Sequence, residues 1–254
     1  MNIAFAGDRD ISVEILTFII SKGVIPKVLM VSNSIRQSHA DELKILSGLS
    51  NNYIIEGNKF KKEESINLLK SCDLDYIIGI HFPYLVPKEI IDIPKFGFLN
   101  LHPAFLPYNK GWHTPSWAIL DKTPVGGTLH YMTEKIDSGD IIHQKQIEIS
   151  YSDTANTLYK KIKQCEVEVF KETWEDIFHK KILSNPQNDK GSEHLKNDLF
   201  SNNIQVINLN NSYKGYELID KMRALTTSDI KESSFFIHNN KKYRIQINIT
   251  EDEL

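Results

Sequence analysis

Short apolar runs separated by amphipathic helical patterns constrain this chain most. Asn2–Ala6, Val24–Val31, Tyr76–Ile80 and Phe98–Leu101 are each too short for a buried helix and apolar on both faces, as strands covered on both sides must be. Between them, Ile11, Ile15, Leu16, Phe18 and Ile19 recur at helical spacing, with Asp10 or Ser12 as the expected cap. Ser38–Leu49 and Glu63–Lys70 read as further helices, and Tyr53–Ile55 as a short strand. This alternation predicts an α/β fold, a doubly wound and mostly parallel sheet with helices on both faces.

From Val125 the pattern changes. Val125–Met132 and Asp140–Ile149 read as antiparallel strands joined by the loop Thr133-Glu-Lys-Ile-Asp-Ser-Gly139, and Asn156–Lys180 as one long helix that packs a face across the sheet. Leu183–Asn203, rich in Ser, Asn, Asp, Lys and Gly, reads as a linker or excursion. It divides residues 1–182 from a carboxyl-terminal segment, 204–254, made of a strand-like Ile204–Asn208, a helix over Gly215–Leu225 and a hairpin turning at Asn239-Asn240. An isolated hairpin is marginal in water, so this one is expected to dock on its own core and on a second subunit, giving a homodimer.

The bulk numbers exclude several functions. With 30 Lys plus Arg against 33 Asp plus Glu, the net charge of −3 lacks the basic balance of a duplex nucleic-acid binder. Cys72 and Cys165 have neither metal-ligand spacing nor a disulfide framework, so both are expected to be reduced and no metal is expected. The first residues lack a basic n-region, and no run approaches the ~18 apolar residues of a membrane span. The expectation is a cytoplasmic protein without a membrane partner.

Chemistry enters at Phe98-Leu-Asn-Leu-His-Pro-Ala-Phe-Leu-Pro107. Residues two apart on a strand share a face, so Asn100 and His102 point the same way, and Pro103 should end the strand. Ligands of open α/β sheets bind at the carboxyl ends of strands. Asp137 lies in the loop downstream and completes a candidate constellation. Taken singly, each of the three reads more readily as a satisfied structural polar group; two on one face before a proline, with an Asp-Ser-Gly loop downstream, weigh against that reading. The turn Gly7-Asp-Arg-Asp10 lacks the later glycines of the dinucleotide fingerprint, which argues against NAD there.

Asn100-Leu-His-Pro-Ala-Phe-Leu-Pro107 resembles the N-x-H-P-S-x-L-P element of the 10-formyltetrahydrofolate-dependent formyltransferases, with Ala104 where many members have Ser. Lys110–Ile119, Gly126–Met132 and Ile136–Ile142 follow in that family's order and spacing, so the resemblance covers roughly the first 180 residues. It implies a Rossmann-like formyltransferase core, 10-formyltetrahydrofolate as cosubstrate, and Asn100, His102 and Asp137 as the catalytic trio. It also implies a pterin slot between the loop after the third main strand and the loop carrying the aspartate. His81, Phe82, Tyr84, Leu85, Thr133 and Ile136 are the candidates there, although Phe82, Tyr84 and Leu85 also suit core packing.

Among the family's acceptors, the short acidic chain is unlike the enzymes that act on methionyl-tRNA. Tyr108–Pro115, the compact length and the terminal hairpin are most similar to bacterial nucleotide-sugar N-formyltransferases of the dTDP-4-amino-4,6-dideoxyglucose type, which serve surface polysaccharide such as O-antigen. Arg9 and Lys110 are then candidates for the diphosphate, with surface roles as the alternative. Tyr108 and Trp112 are candidates for the sugar or base, with packing of Trp112 against Trp117 as the simpler reading. Other acceptors such as methionyl-tRNA, a hydrolase releasing formate from the same folate, and a binding module with a dead site are the rival functions.

Overall fold

The computed structural model describes residues 1–33, 39–188, 190–201 and 203–252. Ser38, where the second helix is expected to start, lies outside them. The strands are β1 (Ile3–Gly7), β2 (Val28–Val31), β3 (Ile54–Glu56), β4 (Tyr76–Ile80), β5 (Phe98–His102), β6 (Lys110–Gly111), β7 (Val125–Tyr131), β8 (Ile141–Ile147), β9 (Glu193–His194), β10 (Ser234–His238) and β11 (Lys241–Ile245). The α-helices are α1 (Arg9–Ser21), α2 (Ala40–Ser47), α3 (Glu63–Ser71), α4 (Lys88–Ile91), α5 (Thr114–Asp121), α6 (Ala155–Phe178) and α7 (Gly215–Ala224).

Seven strands form one sheet in the order β3-β2-β1-β4-β5-β7-β8. β1 to β5 pair in parallel, and β7 turns the sheet antiparallel against β5. Every residue of β1, β2, β4 and β5 is buried, so apolar side chains leave both faces, as helices on both sides require. β2 is shorter than its apolar run, which contains Pro26 and pairs only from Val28. Ser12 Oγ accepts from the Asp8 amide (2.9 Å) and donates to the Ile80 carbonyl (2.9 Å), tying the first turn to β4. Asp8 itself stands at the N-cap of α1, one turn ahead of Ser12.

Two compact units divide the chain. The first comprises Met1–His102, Thr128–Gln144 and Glu166–Gln187. One side of its core joins Ala4, Met30, Ile77, Phe60 and Phe98, and Phe18 meets Phe170 and Trp174 edge to face.

The second comprises Pro103–Gly127, Lys145–Cys165 and Asn188–Leu254. Its core gathers Ala118, Ile119, Val125, Leu158, Ile162 and Ala224, with Trp117, Leu199 and Leu225 beside them. Lys110 and Gly111 pair in parallel with Glu193 and His194, so the stretch 183–203 carries a short strand and a 3₁₀ turn at Asp198–Phe200. The β10–β11 hairpin turns at Asn239 and Asn240, both left-handed (φ 48° and 60°), as a tight turn demands. The strand expected over Ile204–Asn208 contracts to a bridge at Val206, where Phe235 donates to the Gln205 carbonyl and accepts from Ile207.

Candidate active site

β5 ends at His102, before Pro103, which has no amide hydrogen with which to extend the ladder. Antiparallel register sets Asn100 opposite His130 and His102 opposite Thr128, so these four side chains share one face of the sheet. Asn100 is 9% exposed, His102 5% and His130 1%, and groups so buried must find polar partners.

The hydrogen bonds run in one direction. His130 Nδ1 lies 2.8 Å from the Tyr131 carbonyl oxygen, which can only accept, so Nδ1 carries the proton. Nε2 of the neutral ring is then an acceptor, and Asn100 Nδ2 donates to it at 3.1 Å. The other amide hydrogen of Asn100 points to Asp137 Oδ1 at 3.4 Å. Asp137 Oδ2 stands 3.4 Å from His102 Nδ1, which holds the proton of that ring towards the carboxylate and leaves the basic lone pair on Nε2. The two contacts to Asp137 are long for hydrogen bonds, so they can retarget cheaply, whereas the Asn100–His130 bond is of ordinary length.

Asp137 reaches this face from the loop after β7. Its backbone is left-handed (φ 44°), a conformation that a non-glycine residue holds only when its surroundings impose it. Ser138 Oγ donates to the Ile136 carbonyl (2.8 Å), and Thr133 Oγ1 to the Lys135 carbonyl (3.1 Å). Gly139 passes the end of β7 so closely that a Cβ there would sit 1.8 Å from the Tyr131 carbonyl oxygen. From outside the loop, Gln187 donates to the carbonyls of Asp137 (2.9 Å) and Gly139 (2.7 Å).

The loop after β4 is equally determined. His81 is left-handed (φ 50°), and its Nε2 meets both carboxylate oxygens of the fully buried Glu166 at 2.9 and 3.0 Å. Phe82 is buried among Phe60 and Tyr84, and the Tyr84 hydroxyl is engaged with Asn33. Leu85 is 71% exposed, Thr133 is exposed and Ile136 half-buried.

Arg9, at the start of α1, is exposed and left-handed (φ 67°). Tyr108, Lys110 and Trp112 belong to the second unit, all half-buried. Lys110 donates its backbone N–H to the Ser192 carbonyl, and Lys196 lies over the Trp112 ring at 4.9 Å. The stacking partner of Trp117 is His194 (3.9 Å, 3°), not Trp112.

Three residues join the site without having been singled out in the sequence: His130, Gln187 and Glu166. The alternating pattern of Val125–Met132 put His130 on a strand, but only the register against β5 brings it to Asn100.

Residues 5–174 match the family described as formyl transferase, and residues 201–251 match the N-formyltransferase dimerization C-terminal domain. Among curated proteins, a methionyl-tRNA formyltransferase of a Geobacillus species is 28% identical over 78% of this chain, and that of Clostridioides difficile 31% over 68%. The matches span 64% and 58% of those enzymes' own length. Among solved structures, a 4-N formyltransferase from Francisella tularensis aligns over 99% of this chain and 98% of its own, with a TM-score of 0.82 and 26% identity. A sugar N-formyltransferase from a Shewanella species shares the fold at a TM-score of 0.83 and 22% identity, over 100% and 99% of the two chains. The carboxamide, imidazole and carboxylate that the first unit brings together thus lie inside the matched span, and the chain belongs to the formyl transferase family.

Proposed function

We propose that the protein transfers a formyl group from 10-formyltetrahydrofolate to the amine of a nucleotide-linked amino-dideoxysugar, with dTDP-4-amino-4,6-dideoxyglucose as the acceptor. The observation that carries this reading is the network in which the buried Asn100 and His102 both meet the half-buried Asp137. The folate supplies an electrophilic formyl carbon. As the amine attacks, the formyl oxygen, where negative charge develops, accepts the hydrogen that Asn100 now directs at Asp137 across a long 3.4 Å contact. The other hydrogen of Asn100 stays on His130 and keeps the amide plane aimed. A donor so placed is worth about 3 kcal/mol in the transition state. His102 takes the amine proton on Nε2 while Asp137 steadies the imidazolium through Nδ1. The tetrahedral centre then collapses by breaking its bond to the folate nitrogen, which leaves with that proton as tetrahydrofolate.

The pterin lies along the loops at His81–Leu85 and Thr133–Asp137. The exposed apolar side chain of Leu85 and the half-buried Ile136 suit a ring, and the Glu166 clamp on His81 holds the first loop in shape. Arg9 and Lys110 bind the diphosphate, and Tyr108 and Trp112 the sugar or base.

A sugar amine at carbon 4 is supported by the end-to-end likeness to the Francisella 4-N formyltransferase, whereas the methionyl-tRNA enzymes match over less than two thirds of their length. Residues 1–182 form the catalytic domain and 204–254 the dimer contact. The latter is supported by the match to a dimerization domain and by Ile237 and Tyr243, which are 60% and 42% exposed on the hairpin. Among the described residues no helix is long and apolar enough to cross a membrane. The setting proposed is cytoplasmic synthesis of surface polysaccharide, O-antigen included.

The test is incubation with 10-formyltetrahydrofolate and a panel of dTDP-, UDP- and GDP-linked amino sugars, methionyl-tRNA, or no acceptor. Mass gain of one CO on a dTDP-4-amino sugar is the expected result. Gain on tRNA alone, or formate release without acceptor, would replace it by the rival.

A further inference from the structure

We propose that Gln187 is a positioning residue for Asp137, an inference that rests on the formyl-transfer reading of the site. Gln187 lies 50 residues from Asp137 in the chain, within a polar stretch that resembles a linker. That stretch is anchored two residues earlier. Asn185 and Ile141 exchange both backbone hydrogen bonds at 2.8 Å in an antiparallel bridge, which lays 185–187 along the start of β8. Pro186 then hands the chain to Gln187 with no amide hydrogen to satisfy.

Both hydrogens of the Gln187 carboxamide are committed, one to the carbonyl of Asp137 (2.9 Å) and one to that of Gly139 (2.7 Å). The amide thereby bridges the 137–138 and 139–140 peptide units, one on each side of the Ser138–Gly139 bond. Its orientation is determined: a flipped amide would set Oε1 against two carbonyl oxygens that can only accept. Oε1 is buried and has no hydrogen-bond partner among the described residues, so the donated pair, not the satisfaction of the whole group, holds the side chain there.

The loop's own side-chain bonds, Thr133 to Lys135 and Ser138 to Ile136, are local and cannot fix where the loop stands. Gln187 supplies a reference from outside the loop and stabilises the left-handed Asp137. The carboxylate is in consequence held within 3.4 Å of both His102 Nδ1 and Asn100 Nδ2, the geometry on which proton transfer and orientation of the amide depend.

Gln187→Met keeps the shape and removes both donors, and Gln187→Glu keeps the shape and reverses the polarity against the carbonyls. With wild-type transfer measured alongside, Gln187→Met should lose about 10- to 100-fold in kcat, the scale of a displacement of about 1 Å in a reacting group. Gln187→Glu should lose more, and the KM for the nucleotide sugar should stay within about twofold for both. Unchanged kcat, or a loss carried by KM alone, would overturn the role. Gln187→Met placed on Asp137→Ala should add no further loss, and a multiplicative loss contradicts the proposal. Should Gln187→Met or Gln187→Glu fold poorly, Gln187→Asn, which keeps the amide but cannot reach both carbonyls, should lose kcat in the same sense, and an unchanged kcat contradicts the proposal. Hydrogen exchange of residues 133–140 gives a readout independent of the reaction. It should accelerate about tenfold or more in Gln187→Met, and an unchanged rate would overturn the inference whatever the acceptor proves to be.

Discussion

His130→Phe removes the polar contacts of a ring that is 1% exposed, including the longer approach of Nε2 to Asp137 Oδ1 at 3.6 Å, while retaining most of its volume. Two bonds disappear, the 3.1 Å bond from Asn100 Nδ2 and the 2.8 Å bond to the Tyr131 carbonyl. Each leaves a buried group unsatisfied at about 1–3 kcal/mol, partly offset because the imidazole no longer has to be desolvated. A net loss of about 2–3 kcal/mol corresponds to a fall in Tm of about 5–10 °C for a chain of this size.

The effect on catalysis is separate. Without its tether, the Asn100 amide is free to rotate towards Asp137, and kcat should fall about 10- to 100-fold, or about 1.4–2.7 kcal/mol. Because His130 acts through Asn100, the loss should vanish in an Asn100→Ala background, where transfer is already down about 100- to 1,000-fold. Steady-state formyl transfer by the two single variants and the double variant measures this. A double variant slower by the product of the single losses would refute the reasoning, as would His130→Phe with wild-type kcat.

Gly139→Ala would set a methyl 1.8 Å from the Tyr131 carbonyl oxygen. The loop must move, so kcat should fall at least tenfold with β7 intact by circular dichroism; full activity would show that the loop's placement is unimportant. In the second unit, burial lowers the pKa of His194 from its ordinary 6.5, with Asp121, Asp198 and Glu193 opposing that shift. The fold therefore holds the ring neutral more strongly than the unfolded chain does, and its contribution is complete above pH 6.5. It is lost as the pH falls below that value, when the unfolded chain binds the extra proton. Thermal melts should show an acid-side decline that His194→Phe, which keeps the stack on Trp117, reduces; an identical pH dependence in both proteins would count against it.

What could be read in advance was what local periodicity encodes. The apolar runs at β1, β4 and β5, Pro103 as a stop, and the Asn239-Asn240 turn all follow from constraints within a few residues. So did the shared face of Asn100 and His102, since a period of two needs no partner strand. His130 was not legible, because its pairing with Asn100 depends on a register between segments 30 residues apart. Gln187 was hidden for a similar reason. A glutamine among Ser, Asn and Lys looks solvated until Asn185 is seen bridged to Ile141. Glu166 falls in a helix with charged neighbours, and only the packed fold shows that it is fully buried against His81. Helix α5 lies within the Lys110–Ile119 motif, where Trp, Pro and Ser obscure the helical period.

The central claim is that Asn100, His102 and Asp137 perform formyl transfer. Single-turnover mixing of wild type and His102→Asn with 10-formyltetrahydrofolate and dTDP-4-amino-4,6-dideoxyglucose tests it most directly, with the formylated sugar followed by mass and folding checked by circular dichroism. A rate reduced about 100-fold or more in a folded His102→Asn protein is the predicted result. A folded variant that formylates the sugar at the wild-type rate would contradict the account.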